Sequence, residues 1–371
     1  MLSIQRITSS KKYLPFIDGL RFIAIVSVLL NHFITAYDKK FTCIAFNKFY
    51  EDHHIALLAG NSNNSVLLFF AISGFILALP FAKYYFDGSE KPVLKDYYIK
   101  RISRLEPPYL IVLTGILMLH VFILHKSSLS TIFPNYLASF FYLHNIIFQE
   151  YPTLNFVFWS LEIELQFYLL APLLARLFYF KGYTRRSIFM FLIIAFALLN
   201  LYFTFPFKSI INYLHYFLAG MLAVDLFLSN TDKLKKNYVF DACSMILLVV
   251  IWTGYWNEKT ILLPFALCLF ILLSSCSKLW SKCLELKWIS IIGGMCYSLY
   301  MLHHPIMALF VNRFETDILF LNSVPLDFLI RLLVSLGLVL LCCALFFIFI
   351  ERPTMKRNWY RRDSLRQLFK S

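Results

Sequence analysis

Ten times along this chain a stretch of 17 to 25 residues runs almost wholly apolar: 15–36, 65–82, 105–125, 154–178, 187–206, 211–228, 239–256, 260–276, 288–311 and 326–350. At 1.5 Å per residue, about 20 helical residues cross the ~30 Å hydrocarbon core of a bilayer. Lipid offers no hydrogen bond to a bare backbone, so single stretches of this length cross as helices. Composition agrees: 60% of the 371 residues are hydrophobic, against about 45–50% in soluble domains. The expected fold is an all-α polytopic membrane protein of about ten transmembrane helices. Basic residues precede the first apolar stretch, but no small-residue cleavage site follows, so it reads as a retained helix. Of the eight cysteines, most lie inside apolar stretches and only Cys43 falls in an outer loop, which gives no disulfide framework.

A net charge of +14 raises nucleic acid as a partner, and the distribution of that charge removes it. With the N-terminus in the cytoplasm, the inner segments carry 25 Lys and Arg and the outer loops 7; Arg21, Arg176 and Arg331 lie within spans. That is the positive-inside asymmetry, and it places both termini in the cytoplasm. One more apolar stretch, 134–149, would reverse every later loop if it crossed, so it is expected to be interfacial or re-entrant. No linker divides the chain. Residues 13–353 read as one membrane domain and 354–371 as a basic cytoplasmic tail suited to anionic membrane lipid.

Ionisable groups are expensive in the bilayer and face a bundle interior or a watery cavity. Arg21 and His32 share span 1. Eleven residues make about three turns, so they occupy one face about 16 Å apart. "KRISRLEPPYL" brings Arg101 and Arg104 to the inner end of span 3, and "FWSLEIELQFYLLAPLL" sets Glu162 and Glu164 near the outer end of span 4. "YSLYMLHHPIMALF" puts His303 and His304 midway along span 9. Each has a plain structural reading: Asp18–Arg21 as an i, i+3 pair, Arg101 and Arg104 as interfacial anchors, the paired histidines as packing. Glu162 and Glu164, two apart, point in different directions, so at most one serves the centre. Taken together, arginines at inner depth suit phosphate, through a guanidinium fork that stays charged. A histidine with a nearby carboxylate suits proton transfer.

These motifs, in this order, resemble acyltransferase family 3, the integral membrane acyltransferases that include bacterial O-antigen and polysaccharide O-acetyltransferases. The resemblance rests on "FIDGLRFIAIVSVLLNHF", "LFFAISGFILALP", "RISR", "FYLHN", "WSLEIELQFYLLAP", "YSLYMLHHPI" and the closing "ERP", covering about 13–353. Here the family's double acid becomes Glu164-Leu165 with an extra Glu162, and its "WHWP" becomes "LHHP". Glu106 is an unusual acid beside the arginine pair.

The resemblance implies a multi-pass enzyme of the cell membrane, the bacterial inner membrane, with no permanently bound cofactor and no metal site. Its cosubstrate would be acyl-CoA, acetyl-CoA first, and its acceptor a hydroxyl of a cell-envelope carbohydrate or glycolipid. On that basis Arg21, Arg101 and Arg104 would hold the CoA phosphates. His32 would be the base or the transient acyl carrier, and Glu164 the orienting carboxylate. Trp159 and His303 would contact the acceptor. The rival reading is a transporter or flippase of a lipid-linked or anionic substrate, which commonly shows repeats or paired broken helices; no repeat is found. A degenerate membrane sensor or scaffold is a third, against which Arg21 and His32 both argue.

Overall fold

The computed structural model describes residues 13–40, 62–230, 236–254, 256, 260–311 and 323–355. The expected basic tail lies outside these residues except for Thr354 and Met355, and Cys43 lies outside them too. The described chain is all-helical, with no named strand. In order the elements are α1 (Pro15–Lys40), α2 (Ser62–Asp87), α3 (Leu94–Met118, continued by a π turn at Leu119–Ile123), α4 (Leu129–Phe140) and α5 (His144–Ile147). A 3-10 turn, Phe156–Phe158, leads into α6 (Trp159–Leu174), followed by α7 (Gly182–Tyr202), α8 (Ile210–Asn230), α9 (Tyr238–Thr253) and α10 (Leu262–Cys276). The last are α11 (Trp280–Leu284), α12 (Lys287–Gly294), α13 (Cys296–Val311), α14 (Val324–Phe346, with a π turn at Phe347–Glu351) and α15 (Arg352–Thr354).

Among the described residues seven helices are long and apolar enough to cross a membrane, those built on α1, α2, α3, α6, α7, α8 and α14. The protein is therefore a multi-pass membrane protein. The expected count of ten is not reproduced. Helices α9 and α10 are apolar but only 16 and 15 residues long. Stretch 288–311 is two helices that part at Met295, where φ −98° and ψ 19° leave the helical region. The 134–149 stretch is likewise broken. α4 has 12 residues, about 18 Å of rise and short of the hydrocarbon core. Two residues beyond its end, Tyr142 takes a φ of +56°. Tyr142 is held by stacking on Tyr109, ring centroids 4.5 Å apart.

Two close crossings set the frame. A Cβ on Gly74 would collide with the Phe217 carbonyl and one on Gly220 with the Ala71 carbonyl, so α2 and α8 touch backbone to backbone. A Cβ on Gly19 would meet Leu284, and one on Gly293 the Asp18 carbonyl, which brings the start of α1 against α11 and α12. In lipid no hydrophobic force drives helices together, so such small-residue contacts and interhelical hydrogen bonds carry association. Prolines inside helices leave carbonyls without donors. Pro172 frees the Tyr168 carbonyl, and the Tyr97 hydroxyl of α3 donates to it at 3.1 Å. That bond ties α6 to α3 beside the arginines.

Candidate functional site

The face of α1 that carries Arg21 and His32 meets α13, and the two residues serve two adjoining places. Arg21, Arg101, Arg104 and Glu164 line one cavity of about 790 Å³, counting its open mouth, together with Ser73, Tyr168, Cys296 and Tyr300. α1, α2, α3, α6 and α13 each give it a wall. His32 is not among its lining residues. Its ring lies 5.1 Å from His303, 6.3 Å from His304 and 5.0 Å from Phe156, centroid to centroid. Tyr300 connects the two places, lining the cavity with its ring 6.0 Å from His303 and its hydroxyl 2.6 Å from Ser160 Oγ.

The cations at the cavity differ in how far they are neutralised. Arg21 Nη1 donates to Asp18 Oδ1 at 2.7 Å, so the plain ion pair exists, yet the guanidinium still lines the cavity. Arg104 Nη2 stands 3.9 Å from Glu351 Oε1, while Glu351 Oε2 already accepts from Ser298 N and Oγ at 3.1 and 2.5 Å. Arg101 pairs with no carboxylate among the described residues; it lies 6.0 Å from the Tyr97 ring centroid. The Nε atoms of both Arg101 and Arg104 are buried without a hydrogen-bond partner among those residues. Buried cationic donors left over in this way call for an anion. Glu106 forms no ion pair with them among the described residues and is not among the residues that line the cavity.

The two acids of α6 separate as the helical geometry requires. Glu164 Oε1 accepts from Ser73 Oγ at 2.7 Å and from Tyr168 OH at 2.5 Å, and the carboxylate is held against the cavity. Glu162 is fully buried and its Oε2 accepts the Asn145 N–H at 2.9 Å. Asn145 Nδ2 in turn donates to the Trp159 carbonyl at 2.8 Å. Glu162 therefore fastens the "FYLHN" segment to the start of α6, a structural task. Neighbouring His144 donates from Nε2 to Asn135 Oδ1 at 2.9 Å, and burial holds its imidazole below the ordinary range.

At the histidine cluster, the Leu299 carbonyl 2.9 Å from His303 Nδ1 can only accept. The proton of a neutral His303 ring is thus on Nδ1, and Nε2 is a buried acceptor with no partner among the described residues. Trp159 does not line the cavity. It is 9% exposed and packs against Phe70 and Tyr213 at 6.2 and 5.3 Å, with Lys208 Nζ 4.5 Å from its centroid. Lys208 also donates to Tyr151 OH at 2.7 Å. Tyr151, its ring 6.2 Å from the indole, is 52% exposed.

Sequence reasoning did not assign Ser73, Tyr168 or Glu351, which support the site. All three carried a signal: Ser73 lies in "LFFAISGFILALP", Tyr168 lies one turn from Glu164, and Glu351 opens the closing "ERP".

One cavity thus unites the "RISR" arginines with the first-helix arginine and the "WSLEIEL" acid. The profile described as an acyltransferase domain, of family 3, matches residues 14–348. The chain belongs to that family. The O-acetyltransferase OatA of Staphylococcus aureus is 26% identical over 388 aligned positions, covering 94% of this chain and 58% of the relative. The peptidoglycan O-acetyltransferase OatA of Listeria monocytogenes is 27% identical over 173 positions, 44% of this chain and 24% of that protein. A regulator of hypoxia-inducible factor 1 from Caenorhabditis elegans is 26% identical over 191 positions, 46% of this chain and 36% of that protein. The chain thus spans little more than half the length of the staphylococcal relative. No solved structure matches it.

Proposed function

We propose that this family member moves an acyl group, acetyl first among candidates, from acyl-CoA on the cytoplasmic side to a hydroxyl of a cell-envelope carbohydrate or glycolipid. The observation that carries the reading is one cavity lined by Arg21, Arg101, Arg104 and Glu164, where the Nε atoms of Arg101 and Arg104 have no hydrogen-bond partner among the described residues. Phosphate oxygens would satisfy them, with Arg21 completing the cluster. Three helical turns separate Arg21 from His32, a separation the extended arm of CoA spans between its phosphates and its thioester. His32, flanked by His303, takes the proton of the acceptor hydroxyl as that oxygen attacks the thioester carbonyl, and the CoA thiolate leaves. Tyr300, hydrogen-bonded to Ser160, lines the arginine cavity and lies 6.0 Å from His303. On the acceptor side exposed Tyr151 beside Lys208 gives an aromatic surface with one cation, with the enclosed Trp159 ring behind it, and His303 contacts the incoming hydroxyl. The two O-acetyltransferase relatives, one of them named for peptidoglycan, support the acceptor class.

Binding and turnover of radiolabelled acetyl-CoA by the purified protein in lipid nanodiscs test this. The double variant Arg101→Ala/Arg104→Ala is expected to weaken donor binding by at least ~10-fold, with lysine restoring it only in part for want of the bidentate fork. His32→Gln is expected to bind donor normally and lose transfer by about 10²–10⁴-fold. Unchanged donor affinity in the arginine variant returns those residues to interfacial anchoring. Wild-type transfer by His32→Gln removes the base.

A further inference from the structure

In an unbroken helix the Met301 carbonyl accepts the N–H of residue 305. Pro305 has none. The missing donor comes from another element: Asn155 Nδ2 donates to the Met301 carbonyl at 2.9 Å. Asn155 is 2% exposed. Its own carbonyl accepts the Phe158 N–H at 3.0 Å and so closes the 3-10 turn that starts at Phe156. The Phe156 ring lies 5.0 Å from His32 and 4.4 Å from His304. One buried amide therefore joins the proline break of α13 to the aromatic ring that flanks His32.

We propose that Asn155 is a positioning residue for the proton transfer at His32, acting through the Met301 carbonyl; the inference rests on the reading of His32 as the base. Asn155 touches no reacting atom. It supplies the donor that Pro305 removes and thereby sets two things at once, the path of α13 where it carries His303 and His304, and the placement of Phe156 against His32. Aspartate in its place keeps the size and loses the donor, setting an acceptor against an acceptor. The Met301 carbonyl is then bare in a buried site, and the turn that holds Phe156 loses its anchor. Geometry at a reacting group is unforgiving: a displacement of about 1 Å costs on the order of 10²-fold in rate.

The test is a double-mutant cycle of Asn155→Asp with Pro305→Ala on the full chain in nanodiscs, read in two ways. One readout is acetyl-CoA-dependent transfer, resolved into kcat and donor KM. The other is the rate at which diethyl pyrocarbonate modifies His32, followed by mass spectrometry, which does not depend on catalysis. Alanine at 305 restores a backbone N–H for Met301, so the need for Asn155 disappears. Asn155→Asp alone is expected to lower kcat by about 10–100-fold with KM little changed, and to speed His32 modification several-fold. In the Pro305→Ala background the same substitution is expected to change either readout by less than about threefold. Equal effects in both backgrounds, or an unaltered His32 modification rate, overturn the proposal. Should Asn155→Asp not fold, recovery of folded protein on adding Pro305→Ala supports it and failure to recover overturns it. If His32→Gln transfers normally, the base reading falls, and the modification arm still decides whether Asn155 holds Phe156 against His32.

Discussion

Two carboxylates of α6 lie two residues apart and do unlike work, and substitution separates them. Glu164 accepts from Ser73 and Tyr168 at the cavity wall. Its removal leaves two hydroxyls beside space that water can fill, so the fold loses little. Glu164→Ala is expected to insert normally, to keep its thermal midpoint within a few degrees, and to lose transfer by about 10²-fold or more. Glu162→Ala strips the acceptor from the buried Asn145 N–H, at a cost of about 1–3 kcal/mol. Its thermal midpoint in detergent is expected to fall while acetyl-CoA binding by the surviving protein is retained. The opposite pattern, a stable but inactive Glu162 variant beside a destabilised Glu164 variant, would exchange the assignments. The divergence of the two acids was legible in the sequence from helix periodicity. Which one faced the cavity could not be read from periodicity, because that depends on Asn145, in a helix of four residues too short to show a period. Trp159 shows the same limit: its identity suggested a stacking surface, and the fold encloses it among Phe70, Tyr213 and Lys208.

Between elements, backbone contact sets the frame of the cavity. α2 and α8 meet where Gly74 and Gly220 leave no room for a Cβ. Ser73 and Phe70, both lining the cavity, are carried by that same stretch of α2. Gly220→Ala is expected to push the helices apart and cost about 1–3 kcal/mol, lowering the detergent-unfolding midpoint. Acetyl-CoA affinity should fall with it, because Ser73 would move from Glu164. A stable variant with unaltered affinity would mean that the crossing is plastic. Long apolar stretches announced most of the helices from sequence, since nothing else with that composition can lie in lipid. The breaks were less legible. The turn at Met295 interrupts an apolar run without a proline, and hydropathy is blind to a change of direction made by apolar residues. Prolines were visible as letters, but their consequences were not: the donors to Tyr168 and Met301 come from Tyr97 and Asn155, 71 and 146 residues away.

For the whole molecule the open quantity is orientation, and the charge partition decides what to expect. Inner segments hold 25 of the 35 Lys and Arg and outer loops 7, a bias that fixes orientation during insertion. The structure sharpens the test at one place. If the broken α4–α5 segment stays on one face, α3 and α6 run in opposite directions and Lys126 and Lys208 share a side. Lys95, Lys181 and Lys278 then share the other. Cysteines introduced singly at these five positions, in a background whose native accessible thiols are replaced, are expected to react with a membrane-impermeant maleimide in intact cells only at 126 and 208. The same arrangement sets Arg101 towards the side where CoA is made, and it opens the Lys208–Tyr151 cluster towards the envelope. Labelling at 181 together with protection at 208 would show that α4–α5 crosses after all. The aromatic cluster, which follows that segment in the chain, would then face the cytoplasm, a side the proposed acceptor does not allow, and the direction of transfer would have to be rebuilt from that result.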